Sequence, residues 1–423
     1  MQVLTRNRRL ATIAMCFVIV VFDGLGAAED QVELARDGRA CCPVIIGENA
    51  SESVRDAAAD LSAYLGRISS AEFVIRRGNG REGIAVGTVQ DFPVLDLNQK
   101  LKGKTIADRE AYLLRSHAQG VYVIGATELA VQHAVWDLLH RLGYRQFFPG
   151  RTWEVVPNRK TLEIAVDEVE RPDYLNRRIW YGFGTWDYNR EPYAEWCRRN
   201  RTASAFGLHV SHAYEGIIRK NKHVFDAHPE FLGLLDGRRE SSKLCIGNPA
   251  LRELVVQHAL RYFKEDPNRD SISMDPSDGG GWCECDNCAA LGSTTDRALT
   301  LANQVAEAVN CEFDDKYVGM YAYNYHSPPP SIRVHPNVII SIATSFIKGG
   351  YSLDELISGW SRQGATTGMR EYYAVFPWDH DLPGRSRGSD LTYLQRTIPE
   401  FYAKGARFMS AESSDNWGCN GLG

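Results

Sequence analysis

Apolar residues recur at helical spacing from Ser51 to Ser69, where Val54, Ala58, Leu61 and Leu65 share one face behind an acidic first turn. Two short apolar runs bounded by glycines, Phe73-Val74-Ile75 and Ile84-Ala85-Val86, predict strands. Ala111–Leu114 and Val121–Ile124 flank Ala118-Gln119-Gly120 and predict a hairpin. A second helical pattern runs from about Glu128 to Leu142 and stops at Gly143, a residue that ends helices readily. Residues 29–165 are therefore expected to form a small α/β layer domain.

Beyond Arg171-Pro172 the pattern changes. Short apolar runs occur at Arg178–Tyr181, Ala205–His209, Leu244–Ile246, Ser271–Met274, Val318–Tyr323, Val338–Ile342, Tyr372–Phe376 and Phe408–Ala411. Helical stretches intervene at Pro249–Phe263, Arg297–Cys311 and Leu391–Tyr402. Strand then helix, repeated about eight times over roughly 250 residues, predicts a (β/α)₈ TIM-like barrel over residues 170–423. The chain stops at Gly423, shortly after the last strand, so a barrel truncated before its closing helix is expected.

The first 28 residues read differently. Arg6, Arg8 and Arg9 precede an apolar run from Leu10 to Phe22, and small residues Gly26-Ala27-Ala28 follow. This order predicts a cleaved secretory signal, because the run is short for a bilayer span. A secreted or periplasmic protein with no stable membrane insertion is expected. The net charge of −5, with lysines and arginines scattered, gives no reason to expect a nucleic-acid partner. Ten cysteines suit an exported chain.

Several passages carry a family likeness. Gly125–Pro157 (GATELAVQHAVWDLLHRLGYRQFFPGRTWEVVP) resembles the end of the small domain that precedes the barrel in α-glucuronidases and β-hexosaminidases. His228–Arg239, Leu244–Pro249, Ser273–Cys288 and Ala411–Gly418 resemble a bacterial family of uncharacterised, glycosidase-related proteins. The resemblance implies a glycoside hydrolase-like protein acting on carbohydrate. In the enzymes it points to, the general acid follows the fourth barrel strand.

Glycoside hydrolysis uses one carboxyl to protonate the leaving oxygen and a second to trap or stabilise the sugar cation, or to activate water. Barrel loops at strand C-termini are where such groups belong. Asp278 follows the fourth candidate strand, and the family likeness falls best on it. Glu412 and Glu371 stand on the eighth and seventh, either able to be its partner. Asp275, His209, His212 and Tyr325 are candidate substrate contacts, and Trp282, Trp378 and Trp417 are candidate stacking platforms for sugar C–H faces. Each also has a plain structural reading: turn chemistry for the aspartates, ion pairing or hydroxyl binding for the glutamates, a hydrogen-bonded core for the histidines.

Cys283, Cys285 and Cys288 are close enough to supply three ligands of a structural zinc, with Cys245, Cys311 or a histidine as the fourth. Disulfide bonding is the competing reading. No HExxH pattern is present, which argues against a metal-dependent hydrolase, and no cofactor is expected for catalysis. The leading expectation is a secreted glycoside hydrolase; the alternative is a non-catalytic carbohydrate-binding protein on a degenerate barrel.

Overall fold

The computed structural model describes residues 31–181, 187–239, 242–374 and 387–413. The segment expected to be a signal lies outside them, as do Trp378 and Trp417. No helix among the described residues is long and apolar enough to cross a membrane.

The first half is a layered α/β unit. Its six-stranded sheet runs in the order Asp167–Glu170, Tyr112–His117, Gly120–Gly125, Gly83–Thr88, Val44–Ile46, Ile75–Arg77. The Tyr112–His117 strand is antiparallel to both neighbours, so the expected hairpin is present, and the remaining pairings are parallel. Helices Glu52–Ser69 and Glu128–Arg141 bury their apolar faces, with Leu61, Leu65, Ile68, Val131, Val135 and Leu138 fully inside. Both begin on side-chain caps: Ser51 Oγ accepts from the Val54 N–H, and Thr127 Oγ1 from the Ala130 N–H.

The second half is a curled, wholly parallel sheet. Its strands are ordered Asn176–Tyr181, Phe408–Ser413, Thr366–Ala374, Val338–Ile347, Tyr317–Asn324, Ser271–Ser273. Helices Pro249–Glu265, Thr294–Glu312, Leu353–Arg362 and Leu391–Ala403 fall between strands in the chain, the alternation that defines a βα-barrel. One expected strand is absent from this sheet. Leu244–Ile246 makes only an isolated antiparallel bridge to Leu232, because it belongs to the cysteine unit described below.

The expected Ala205–His209 strand also lacks a regular ladder, yet its chain lies against the Ser271–Ser273 strand. Serine hydroxyls replace the missing backbone pairs. Ser271 Oγ accepts from the His209 N–H (2.7 Å) and donates to the Gly207 carbonyl (2.7 Å). Ser273 Oγ treats Ser211 in the same way, at 3.1 and 2.5 Å. On the next strand Gly319 permits this approach, since a Cβ there would sit 2.3 Å from the His209 carbonyl oxygen. Carboxylates on both sides pin the halves together, Glu154 on Arg199 and Asp137 on Arg201 among them. Asp270 pairs with Arg109 at 2.7 Å, and buried Glu110 accepts from Arg177 and from the Ala205 N–H.

Candidate functional site

Strand alternation decides which residues enter the barrel. Asn176, Arg178 and Trp180 point inward from one strand, Phe408, Ser410 and Glu412 from its neighbour, Arg370 and Tyr372 from the third, and Tyr321 and Tyr323 from a fourth. Together with His212, Asp278 and Phe346 they line a cavity of about 480 Å³. That volume is in the range of a small-ligand site, and its walls combine aromatic faces with a few convergent charges.

Asp275 organises one side of this cavity from beneath. It is fully buried, and its Oδ1 accepts from the Tyr321 N–H (2.9 Å) and from His326 Nε2 (3.1 Å). Its Oδ2 lies 2.9 Å from His212 Nδ1. Burial alone would push this carboxyl up, but His326 and His212 outweigh it and hold the group below the ordinary aspartate value. The His212 tautomer follows from geometry. Nδ1 also faces the Pro276 carbonyl at 2.8 Å, which only accepts, so Nδ1 carries the hydrogen. Nε2 is thereby left toward Asp278, 4.0 Å from its Oδ1. Burial lowers the imidazole, yet Asp275, Pro276 and Asp278 together raise it above the ordinary histidine value.

Across the sheet, Arg370 Nη2 donates to Glu412 Oε2 at 2.5 Å. The same guanidinium lies over the rings of Trp180, Tyr321 and Tyr372, 5.4 to 5.8 Å from their centroids, close enough for cation–π attraction. Arg178, exposed to the cavity, makes no hydrogen bond or ion pair among the described residues. Lys243 is buried below the Asp278 loop, where its ammonium donates to the carbonyls of Ser277 and Asp278. Burial draws that ammonium below the usual lysine range, against the raising effect of Asp275 and Asp278.

Of the residues singled out in the sequence, the cavity collects Asp278, Glu412 and His212. The others among the described residues lie elsewhere. Glu371 alternates with Arg370 and Tyr372, so it points out of the barrel; fully buried, it accepts from Thr344 Oγ1 (2.9 Å) and the Tyr393 hydroxyl (2.7 Å). It is not positioned as a second catalytic carboxyl. Asp275 has no surface left to touch a sugar; it is bonded to His212 instead. His209 bonds Ser211 Oγ at 3.0 Å beyond the cavity wall. Trp282 packs on the core beside His326 and under the Lys243 ammonium, so it is no open platform. Tyr325 is exposed next to Gly280 and does not line the cavity. Arg178, Arg370 and Lys243 escaped notice in the sequence. The available signal was a cation alternating with aromatics inside an apolar strand, as in Arg178-Ile179-Trp180 and Arg370-Glu371-Tyr372.

The cysteines form a separate cluster. Sγ atoms of Cys245, Cys283, Cys285 and Cys288 lie within 4.8 Å of one another, and no described cysteine is disulfide-bonded. Cys311, the other thiol considered as a fourth member, is exposed and apart from the group.

A curled parallel half-barrel sheet behind a small α/β domain, with a carboxylate-bearing cavity, is a fold shared with glycoside hydrolases. Residues 148–375, over half the chain, match a domain of unknown function, DUF4838, and the protein belongs to that family. Among solved structures it is similar to a family GH115 4-O-methyl-α-glucuronidase, BtGH115A, with specificity for decorated arabinogalactans. The TM-score is 0.54 at 15% identity, covering 92% of this chain and 56% of that enzyme. The chain thus spans little more than half of that relative's length. It is also similar to the GH20 β-N-acetylhexosaminidase of Streptomyces coelicolor A3(2), with TM-score 0.49 and 12% identity over 92% of this chain and 84% of that one. A further likeness is to a GH138 enzyme targeting pectin rhamnogalacturonan II, with TM-score 0.48 and 10% identity over 88% and 46% of the two chains. No curated protein matches the sequence.

Proposed function

We propose that this protein is an exported glycoside hydrolase that cleaves an oligo- or polysaccharide in the barrel cavity without a catalytic cofactor. One observation carries the reading: Asp278, in the loop after the Ser271–Ser273 strand, and Glu412, on the Phe408–Ser413 strand, open into the same aromatic-walled cavity. Asp278 is the candidate acid that gives its proton to the leaving oxygen as the C–O bond breaks. His212, fixed by Asp275, is placed to orient it. Glu412, held by Arg370, is the candidate carboxylate for the positive charge developing on the sugar ring, or for the attacking water. Trp180, Tyr321, Tyr323 and Tyr372 suit the C–H faces of sugar rings. Arg178 favours an acidic sugar, in keeping with the uronic-acid linkage named for the GH115 enzyme. The basic, apolar and small-residue order of residues 1–28 supports secretion or a periplasmic location.

A second reading, carbohydrate binding without hydrolysis, is favoured by the engagement of Glu412 with Arg370. The two readings part in one experiment. The full chain is assayed on aryl-glycosides and acidic oligosaccharides beside Asp278→Asn, Glu412→Gln and Arg178→Met. Hydrolysis reduced roughly 10²-fold or more by either carboxyl change supports catalysis. Ligand binding with no turnover in any form selects the binding reading, and equal turnover in all forms refutes the site.

A further inference from the structure

We infer that Cys245, Cys283, Cys285 and Cys288 hold a structural zinc ion in a closed tetrathiolate site, and that this ion clamps the loop carrying Asp278. The metal assignment stands on the sulfur positions alone; only its bearing on Asp278 rests on the function proposed above.

The sulfur spacing is that of ligands around a common centre. Cys245 and Cys285 are 3.6 Å apart, Cys245 and Cys288 3.9 Å, and Cys283 and Cys285 3.4 Å. A tetrahedral ion with Zn–S bonds of about 2.3 Å sets its sulfurs about 3.8 Å apart, whereas a disulfide needs about 2.05 Å. The arrangement is also not that of two separate pairs, because Cys245 stands near both Cys285 and Cys288, and Cys285 near both Cys245 and Cys283.

The surroundings are built to carry thiolate charge. The Leu234 N–H donates to Cys283 Sγ at 3.3 Å and the Gly247 N–H to Cys288 Sγ at 3.1 Å. Arg239 places its guanidinium beside Cys245 while donating to the carbonyls of Glu230 and Leu232. Two backbone donors and one fixed cation offset the excess negative charge of four thiolates on a divalent ion. Gly247 is required sterically as well, since a Cβ there would meet the backbone of Asn287 and Cys288 at 2.5 and 2.6 Å.

Placement explains what the ion does. All four positions are filled by protein sulfur, leaving none for a reacting water, which makes the site structural. It joins two segments distant in sequence, 242–247 and 283–288. The first of these also carries Lys243, whose ammonium holds the Ser277 and Asp278 carbonyls. Metal, Cys245, Lys243 and the Asp278 loop therefore form one continuous support for a glycine-rich stretch, Gly279–Gly281, that has little stiffness of its own.

The test uses the full chain purified under reducing conditions without chelator. Elemental analysis is expected to give one zinc per chain. Exchange for cobalt(II) is expected to give the charge-transfer and ligand-field absorption of a tetrahedral tetrathiolate. Cys245→Ser should fall to roughly a tenth of an equivalent or less, while Cys311→Ser keeps its metal. Should Cys245→Ser fail to fold, wild-type stoichiometry and the cobalt spectrum still decide. Metal-free protein with free or disulfide-bonded cysteines, or iron in place of zinc, would overturn the assignment. Hydrogen exchange before and after metal removal tests the clamp: loss of protection at Leu234, Gly247 and Glu284 together with residues 276–281 supports it, and unchanged exchange at 276–281 refutes it. A chain that binds zinc but hydrolyses nothing would leave this inference intact and sink only the proposed function.

Discussion

Replacing Asp275 by Asn isolates the group on which the candidate site rests. The side chain keeps its shape, so packing is preserved while the charge is removed. Its oxygen can still accept from Tyr321 and His326, but its amide then points at His212 Nδ1, which already carries a hydrogen directed at Pro276. Donor meets donor. A buried hydrogen bond to a charged group is worth about 1.5–3 kcal/mol, and breaking a buried ion pair costs about 3–5 kcal/mol. A loss of about 3 kcal/mol, or two decades in the folding equilibrium, is therefore expected for the barrel. Urea unfolding followed by tryptophan fluorescence measures it.

The pH dependence gives a sharper signature. His212 is raised in the folded chain, so its pairing contributes fully below about pH 6.5 and is lost as pH rises through the folded value. Asp275 is lowered, so the same pairing is present above about pH 3.9 and is lost as pH falls through its folded value. The difference between wild type and Asp275→Asn should be largest between about pH 4 and pH 6.5 and shrink on either side. By NMR the His212 ring should titrate above the ordinary histidine value in wild type and at a lower pH in the variant, where only Pro276 and Asp278 still oppose the lowering effect of burial. A variant with wild-type stability and an unmoved His212 titration would refute the reasoning.

Two other perturbations separate support from chemistry. Glu371→Gln should cost about 1–3 kcal/mol through its buried contacts with Thr344 and Tyr393, yet leave turnover per folded molecule unchanged; a selective loss of turnover would return Glu371 to the catalytic set. Gly319→Ala forces a Cβ to 2.3 Å from a backbone oxygen that cannot yield cheaply, so destabilisation of about 2 kcal/mol or more is expected by chemical denaturation. A neutral outcome would mean that the 204–212 segment is not held where the structure puts it.

Local patterning carried the regular elements. The helices at 52–69, 128–141, 249–265, 294–312 and 391–403 follow from apolar spacing and side-chain caps, which act within a few residues. Strand ends marked Asp278 and Glu412 for the same reason: barrel geometry puts a residue just past an apolar run at the mouth. What pattern could not settle was direction and partnership. Glu371 and Glu412 look alike in sequence, but one pleat step sends Glu371 out toward Tyr393 while Arg370 and Tyr372 turn inward. Leu244–Ile246 has the composition of a strand and is instead the arm that brings Cys245 to Cys285 and Cys288, some forty residues away in the chain. Ser271 and Ser273 read as ordinary strand residues, yet their hydroxyls hold the segment that carries His212. The sequence by itself determined the helices and most of the strands, because periodicity and capping are short-range. Only the tertiary structure decided which carboxylates share a cavity, which one is buried beneath a histidine, and which four sulfurs converge, because those depend on contacts between residues far apart in the chain.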